Sequence, residues 1–309
     1  MQEKIGNVTL DYEYYPGEDL YSDGPVEEEL LEIAKNYQEK ELNQLIYERN
    51  SWPVLYHFSH IRQNILEWLP ITKEQNVLEI GSGCGPITGV LARKAKSVTC
   101  IDLSKMRSTI NAYRNRECDN VKIMVGNFQD VESSLTEKYD YITLIGVFEY
   151  SQGYIGTAQP YVEMLRRIAR HLAPGGRIVI AIENRLGLKY WAGCTEDHVG
   201  KYFEGLENYP DTRSVRTFSR KELSDIIDQA GEFKTTFYYP YPDYKFPMTI
   251  YSDKGLPKKG ELRDNFCNFD RNRIQLFNEG KVYDSLTDAG LFQEFSNSFL
   301  VIVERKENK

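Results

Sequence analysis

The run Glu79-Ile80-Gly81-Ser82-Gly83-Cys84-Gly85 places three glycines at alternate positions behind an acid. Glycine lets a backbone approach a ligand closely and adopt conformations closed to other residues. Between a buried strand and a helix, such a run forms a ligand-binding turn. A second acid, Asp102, ends the next apolar run roughly twenty residues later, the spacing at which a carboxylate accepts hydrogen bonds from ribose hydroxyls. A nicotinamide-dinucleotide fingerprint would place glycine at the first, third and sixth positions of the turn, and the sixth position here is Pro86. No lysine followed by Ser or Thr succeeds the turn, so it is not a phosphate-cradling P-loop.

A second chemistry-bearing run is Ile182-Glu183-Asn184-Arg185-Leu186-Gly187-Leu188-Lys189-Tyr190, followed by Glu196-Asp197-His198. Of four histidines, His57, His60 and His171 lie on predicted helices, leaving His198 as the general-base candidate because its ordinary pKa is near neutrality. Loop packing is the alternative role for His198. Asp197 is suited to orient it or to act alone. Glu183 beside Asn184 reads first as a brace for the loop and second as hard oxygen ligands for Mg²⁺, with Glu149 as a further ligand; no metal ligand set is assigned. Arg185, Arg213 and Arg216 either clamp an anionic group or remain solvated. The aromatic stretch 238–246 either stacks on an acceptor or packs as a loop core.

The elements that position these residues alternate. Strands are predicted at 77–80, 97–101, 121–125, 141–147 and 177–183, with helices between them, which means a parallel sheet wrapped by helices. Residues 1–24 show no clear periodicity. A helix is predicted from the Gly24-Pro25 turn to about residue 49, and another from Pro53 to near Pro70. Residues 1–70 thus read as an N-terminal helical cap before a domain spanning 71–309. Ser219 with Glu222 forms a capping box, and strands are expected at 233–239 and 295–303. The stretch between them, about 240–290, is too long for a hairpin loop and reads as an insertion.

The glycine turn resembles motif I of class I S-adenosylmethionine (SAM)-dependent methyltransferases, and the resemblance extends in order over roughly residues 75–185. It includes Asp102, Gly126-Asn127-Phe128, Tyr139-Asp140 and Pro174-Gly175-Gly176. It implies an α/β, Rossmann-like doubly wound, mostly parallel sheet with an antiparallel final strand. It implies SAM as cofactor, with Glu79, Gly81, Ser82, Gly83 and Gly85 around the methionyl part, Asp102 and Leu103 at the ribose, and Asn127 and Phe128 at the adenine. The family usually carries Asp where this chain has Asn127; an amide carbonyl can accept the same bond. Methyl transfer to a hydroxyl requires removal of its proton, for which His198, Asp197 and Glu183 are the candidates.

Gly146-Val147-Phe148-Glu149-Tyr150 stands where enzymes that methylate exocyclic base amines carry an Asp/Asn-Pro-Pro-aromatic motif. The run beginning at Ile182 resembles bacterial methyltransferases found with glycosyltransferases in cell-surface polysaccharide pathways. That likeness implies a sugar or glycan-linked hydroxyl as acceptor and a glycosyltransferase as partner. Two alternatives stay open: N-methylation of a small amine, and a SAM-binding scaffold without turnover.

Composition sets the outer bounds. The chain has 309 residues and a formal net charge of −8, which argues against a large nucleic-acid footprint. The 5 cysteines include no C-x-x-C pair and read as free thiols. No signal peptide or apolar run long enough to span a bilayer is apparent. A cytoplasmic enzyme is expected.

Overall fold

Short, largely apolar runs such as Val77-Leu78-Glu79-Ile80 are too brief for helices and bury as strands with both faces covered. The computed structural model describes residues 1–19, 21–263 and 273–306. They form two compact units, Met1–Leu144 with Arg167–Ile178, and Ile145–Arg166 with Val179–Lys309.

The first unit holds β1 (Gln2–Ile5), β2 (Val8–Asp11), β3 (Asn76–Ile80), β4 (Ser97–Asp102), β5 (Val121–Val125), β6 (Tyr139–Ile145) and the start of β7 (Leu172–Glu183). Its strand order is β1-β2-β5-β4-β3-β6. The β2/β5, β4/β5, β3/β4 and β3/β6 pairs are parallel. Parallel pairing brings the carboxyl ends of β3, β4 and β5 to one edge, so Gly81, Asp102 and Asn127 share that edge.

The N-terminus differs from the helical cap expected for residues 1–70. Residues 2–11 form an antiparallel hairpin, Ile5 facing Val8, and β2 extends the parallel sheet beside β5. Gly6-Asn7 is its two-residue turn, with Gly6 at φ +58, a glycine-containing dipeptide of the type that closes hairpins. The single helix expected to about residue 49 is interrupted. Val26–Asn36 ends at Tyr37, which is extended, and the chain re-enters helix at Leu42–Arg49. The break lets Leu30, Ile33, Leu42, Leu45, Val54 and Phe58 converge in one cluster with Cys84 of the glycine turn and Ile110. Each such buried side chain contributes roughly 1.5–3 kcal/mol. The helices are thereby packed against the turn that they were expected only to precede.

The second unit contains the end of β7 with β8 (Phe233–Tyr241), β9 (Thr249–Ser252) and β10 (Ser298–Arg305). The strand order is β7-β10-β8-β9. The final strand, β10, runs antiparallel to β8, with Val301 opposite Phe237, as the resemblance implied. The helix Arg220–Ala230 carries the expected capping box: the Glu222 carboxylate accepts from the Ser219 amide at 2.8 Å, and the Ser219 hydroxyl accepts from the Glu222 amide at 3.3 Å. Within the stretch 240–290, β9 folds back on β8, and Glu279–Asp288 is helical. Cys267 lies outside the described residues; Cys84, Cys100 and Cys118 are free thiols. Among the described residues, no helix is long and apolar enough to cross a membrane.

Candidate active site

The glycine turn is built on the end of β3. The amides of Gly81 and Ser82 donate to the Ile101 carbonyl at 2.8 and 3.3 Å, tying the turn to β4. Asp102 accepts from the Gly83 amide at 2.7 Å and from the Ser104 amide at 3.0 Å. Burial raises its pKa, and these amide bonds oppose the rise. Gly83 and Gly85 differ although both have positive φ. A Cβ on Gly83 would meet nothing within 4 Å among the described residues, whereas one on Gly85 would fall 2.3 Å from the Asn111 Oδ1. Gly83 thus faces open space and Gly85 a packed neighbour. The Ser82 hydroxyl is buried without a hydrogen-bond partner among the described residues. A buried donor left unsatisfied is costly, and a ligand seated in the turn would satisfy it. These features fit a bound nucleoside cofactor.

Glu79 is 3% exposed under the turn, and its carboxylate accepts from the Thr88 hydroxyl at 2.7 Å. Burial raises its pKa to about 7, against the bonds from Thr88 and Cys100. Leu103 is half-buried beside Asp102. Asn127 caps the helix Phe128–Val131 through its side-chain oxygen, which accepts from the Gln129 amide at 3.1 Å. Phe128 is buried and packs edge-on against His171.

The N-terminal segment crosses this edge, which the sequence did not announce. Asp19 accepts from the Ser104 hydroxyl at 2.8 Å and from the amides of Lys105 and Met106 at 2.6 and 3.1 Å. It thus caps the helix Lys105–Arg114, where a carboxylate is favoured by the helix dipole. Tyr14 lies on Gly126, so close that a Cβ there would be 2.8 Å from the Tyr14 Cβ.

The second unit gathers another set of ionisable groups. His198 Nδ1 is 2.9 Å from Glu196 Oε1, and its Nε2 is 3.5 Å from Glu149 Oε1 and 3.9 Å from Glu183 Oε2. Glu149 and Glu183 are 1% and 0% exposed. Oε2 of each has no hydrogen-bond partner among the described residues. Lys245 bonds the other oxygen of Glu183. Lys189 bridges Asp197 and Asp243, both at 2.8 Å, and Asp197 also accepts from the Tyr190 hydroxyl. Burial opposes a charge on His198, but Glu183 and the bonds to Glu149 and Glu196 outweigh it and hold its pKa well above the ordinary histidine range. Burial raises the Glu149 pKa, with His198 opposing and Glu183 adding to the rise. Asp197 is held well below the usual carboxylate range: burial is overcome by Lys189 and Lys245.

Comparison with known proteins adds a family to this geometry. A family model described as a methyltransferase domain matches residues 55–232. The chain belongs to that methyltransferase family. It is a SAM-dependent methyltransferase, and SAM is its cofactor. An uncharacterized methyltransferase of Staphylococcus carnosus is 26% identical over 171 residues, covering 54% of this chain and 74% of that protein. Ribosomal RNA small subunit methyltransferase A of Listeria monocytogenes is 34% identical over 88 residues, covering only 26% of this chain and 28% of that enzyme. Among solved structures, a chain in the complex of the Haloferax volcanii Trm112 methyltransferase activator with its methyltransferase has a TM-score of 0.50 at 18% identity. That match covers 88% of this chain and 99% of the other, and it supports the fold.

Within the methyltransferase, the histidine anticipated as a general base is surrounded by the carboxylates of Glu149, Glu183 and Glu196, which raise its pKa against burial. Asn184 is fully used as a loop brace. Its amide donates to the carbonyls of Glu294 and Ser296, both at 2.8 Å, and its oxygen accepts from the Leu186 amide at 3.0 Å. The Mg²⁺ reading that paired it with Glu183 therefore loses one ligand. The aromatic stretch is mostly core: Tyr239, Tyr241, Tyr244 and Phe246 are buried. Arg185 is paired with Glu222 at 2.7 Å and Arg216 bonds Asn208 at 2.5 Å, so neither extends as an anion clamp. Sequence reasoning gave no role to Asp243 or Lys245. The signal available was charge inside an otherwise aromatic run, since charges there must find buried partners.

Proposed function

We propose that this methyltransferase modifies a hydroxyl on a sugar, a glycan-linked group or a small molecule. Gly81, Ser82, Gly83 and Gly85 would hold the methionyl portion of SAM, Asp102 and Leu103 the ribose, and Asn127 and Phe128 the adenine. Glu79 beneath the turn would favour the cofactor's positive charge. Bound there, SAM supplies an electrophilic sulfonium methyl group. Transfer breaks the carbon–sulfur bond and forms a carbon–oxygen bond, and the hydroxyl proton must go to a base.

The observation that carries the acceptor reading is the Glu149–Glu183–His198 cluster. Two buried carboxylates, each with an oxygen lacking a hydrogen-bond partner among the described residues, provide proton-accepting capacity, and His198 holds them together. Asp197, fixed by Lys189, Lys245 and Tyr190, would keep the loop around His198 in place. A hydroxyl acceptor, more than an already basic amine, requires such a base. The likeness of the run beginning at Ile182 to polysaccharide-associated enzymes supports a glycan acceptor, a glycosyltransferase partner and a cytoplasmic setting.

The test is transfer of labelled methyl from SAM to parallel panels of sugar hydroxyls and small amines, with products identified by mass spectrometry. Hydroxyl products are expected, and Glu183→Gln or His198→Ala should lower turnover roughly 10²–10⁴-fold with S-adenosylhomocysteine affinity unchanged. Methylation of amines alone, or full turnover by His198→Ala, would overturn the reading. Absence of turnover on every acceptor would favour a SAM-binding scaffold.

A further inference from the structure

We propose that Glu149, Glu183 and His198 form a binding site for a first-row divalent cation. One ligand atom from each of the three lies within 4.8 Å of the others. His198 Nε2 stands 3.5 Å from Glu149 Oε1 and 3.9 Å from Glu183 Oε2. Shifts under about 1 Å would bring all three to metal-bond lengths of about 2.1 Å.

Three further observations point to a ligand rather than to an acidic cluster alone. First, Oε2 of both Glu149 and Glu183 is buried without a partner among the described residues. A buried carboxylate oxygen in that condition is costly, and a cation satisfies both. Second, His198 Nδ1 is committed to Glu196 at 2.9 Å. A carboxylate on one ring nitrogen fixes the imidazole and presents the other nitrogen to the shared space, which is the arrangement that orients metal-bound histidines. Third, charge is unbalanced among the described residues. Glu149, Glu183, Glu196, Asp197 and Asp243 meet Lys189, Lys245 and one imidazole. The lysines bond Glu183 through one oxygen and otherwise Asp197 and Asp243. Glu149 and the second oxygen of Glu183 are left facing His198.

The donor set selects the ion. An imidazole with carboxylates suits Mn²⁺, Fe²⁺ or Zn²⁺ better than Mg²⁺, which prefers oxygen and retains its waters. The site differs from the Glu183–Asn184 pair read from the sequence, because Asn184 is used by backbone and His198 replaces it. For catalysis the inference rests on the hydroxyl-acceptor reading: a cation there would lower the pKa of a bound hydroxyl. Cation binding itself does not depend on which acceptor is methylated, so its test stands separately.

The test uses the full chain, stripped with EDTA, and MnCl₂ as probe, with free Mn²⁺ followed by electron paramagnetic resonance. One equivalent is expected to bind, with Mg²⁺ at least roughly tenfold weaker. Glu149→Gln should weaken Mn²⁺ binding roughly a hundredfold, and Glu196→Gln, which releases the imidazole, roughly 10–100-fold. A rise in the melting temperature of the unsubstituted chain with Mn²⁺, reversed by EDTA, provides a measurement that needs no variant. No binding at millimolar Mn²⁺, no such rise, or equal affinity in the unsubstituted and Glu149→Gln chains would overturn the proposal.

Discussion

Gly83 and Gly85 sit two residues apart with φ of +52 and +74, yet substituting them should damage different properties. Alanine at either position adopts a left-handed backbone at a cost of about 1–2 kcal/mol. At Gly83 nothing among the described residues lies within 4 Å of the new Cβ, so the cost ends there. At Gly85 the Cβ falls 2.3 Å from Asn111 Oδ1 and 2.7 Å from Asn115 Nδ2. Asn111 donates to Thr88 at 3.0 Å and accepts from Asn115 at 2.8 Å, and Thr88 in turn donates to Glu79. Moving Asn111 disturbs at least two buried hydrogen bonds, each worth about 1 kcal/mol net. Gly85→Ala should therefore lose about 3–4 kcal/mol of stability against about 1–2 for Gly83→Ala. Gly83→Ala, whose methyl enters the space assigned to the cofactor, should instead lose most affinity for S-adenosylhomocysteine. Urea unfolding without ligand gives the first comparison and calorimetry the second. Equal destabilisation by the two substitutions would refute the packing argument. Undiminished ligand affinity in Gly83→Ala would refute the assignment of the open space.

Two further outcomes follow from side-chain environments. Burial lowers the His57 pKa from its ordinary 6.5 to about 4. A folded value below the unfolded one means stability is intact above about pH 6.5 and declines as pH falls toward 4, by on the order of 2–3 kcal/mol. Comparing urea midpoints at pH 7.5 and 4.5 should show that loss, reduced in His57→Gln; an identical decline in the variant would exclude His57 as its source. Asn127→Asp should retain the cap on Phe128–Val131 and bind S-adenosylhomocysteine as well or up to about tenfold more tightly, through a stronger acceptor for the adenine amino group. Calorimetry showing a clear loss of affinity would argue against adenine at that position.

The sequence alone determined where the glycine turn and Asp102 lie. Glu79, Gly81, Gly83, Gly85 and Asp102 are close in sequence and bound to strand ends, so local spacing already dictates that they meet at one edge. The antiparallel last strand came from resemblance rather than from its own pattern. The hairpin at residues 2–11 was missed because strands of four residues carry too little periodicity to register, although Gly6-Asn7 marked the turn. The break at Tyr37 was missed because Glu, Lys and Gln around it favour helix, and only packing of Leu42 and Leu45 into the cluster with Leu30 requires the chain to bend. The acidic cluster was decided by tertiary structure. Glu149 comes from a turn, Glu183 from the end of β7, and His198 and the Asp243–Lys245 pair from two further loops, and sequence spacing says nothing about contacts so distant along the chain. His198 shows the consequence most directly. Its type suggested a neutral base, but Glu149 and Glu183, brought to it by folding, join Glu196 two residues before it in raising its pKa, because electrostatic energy depends on distance in space and on burial, not on order in the chain.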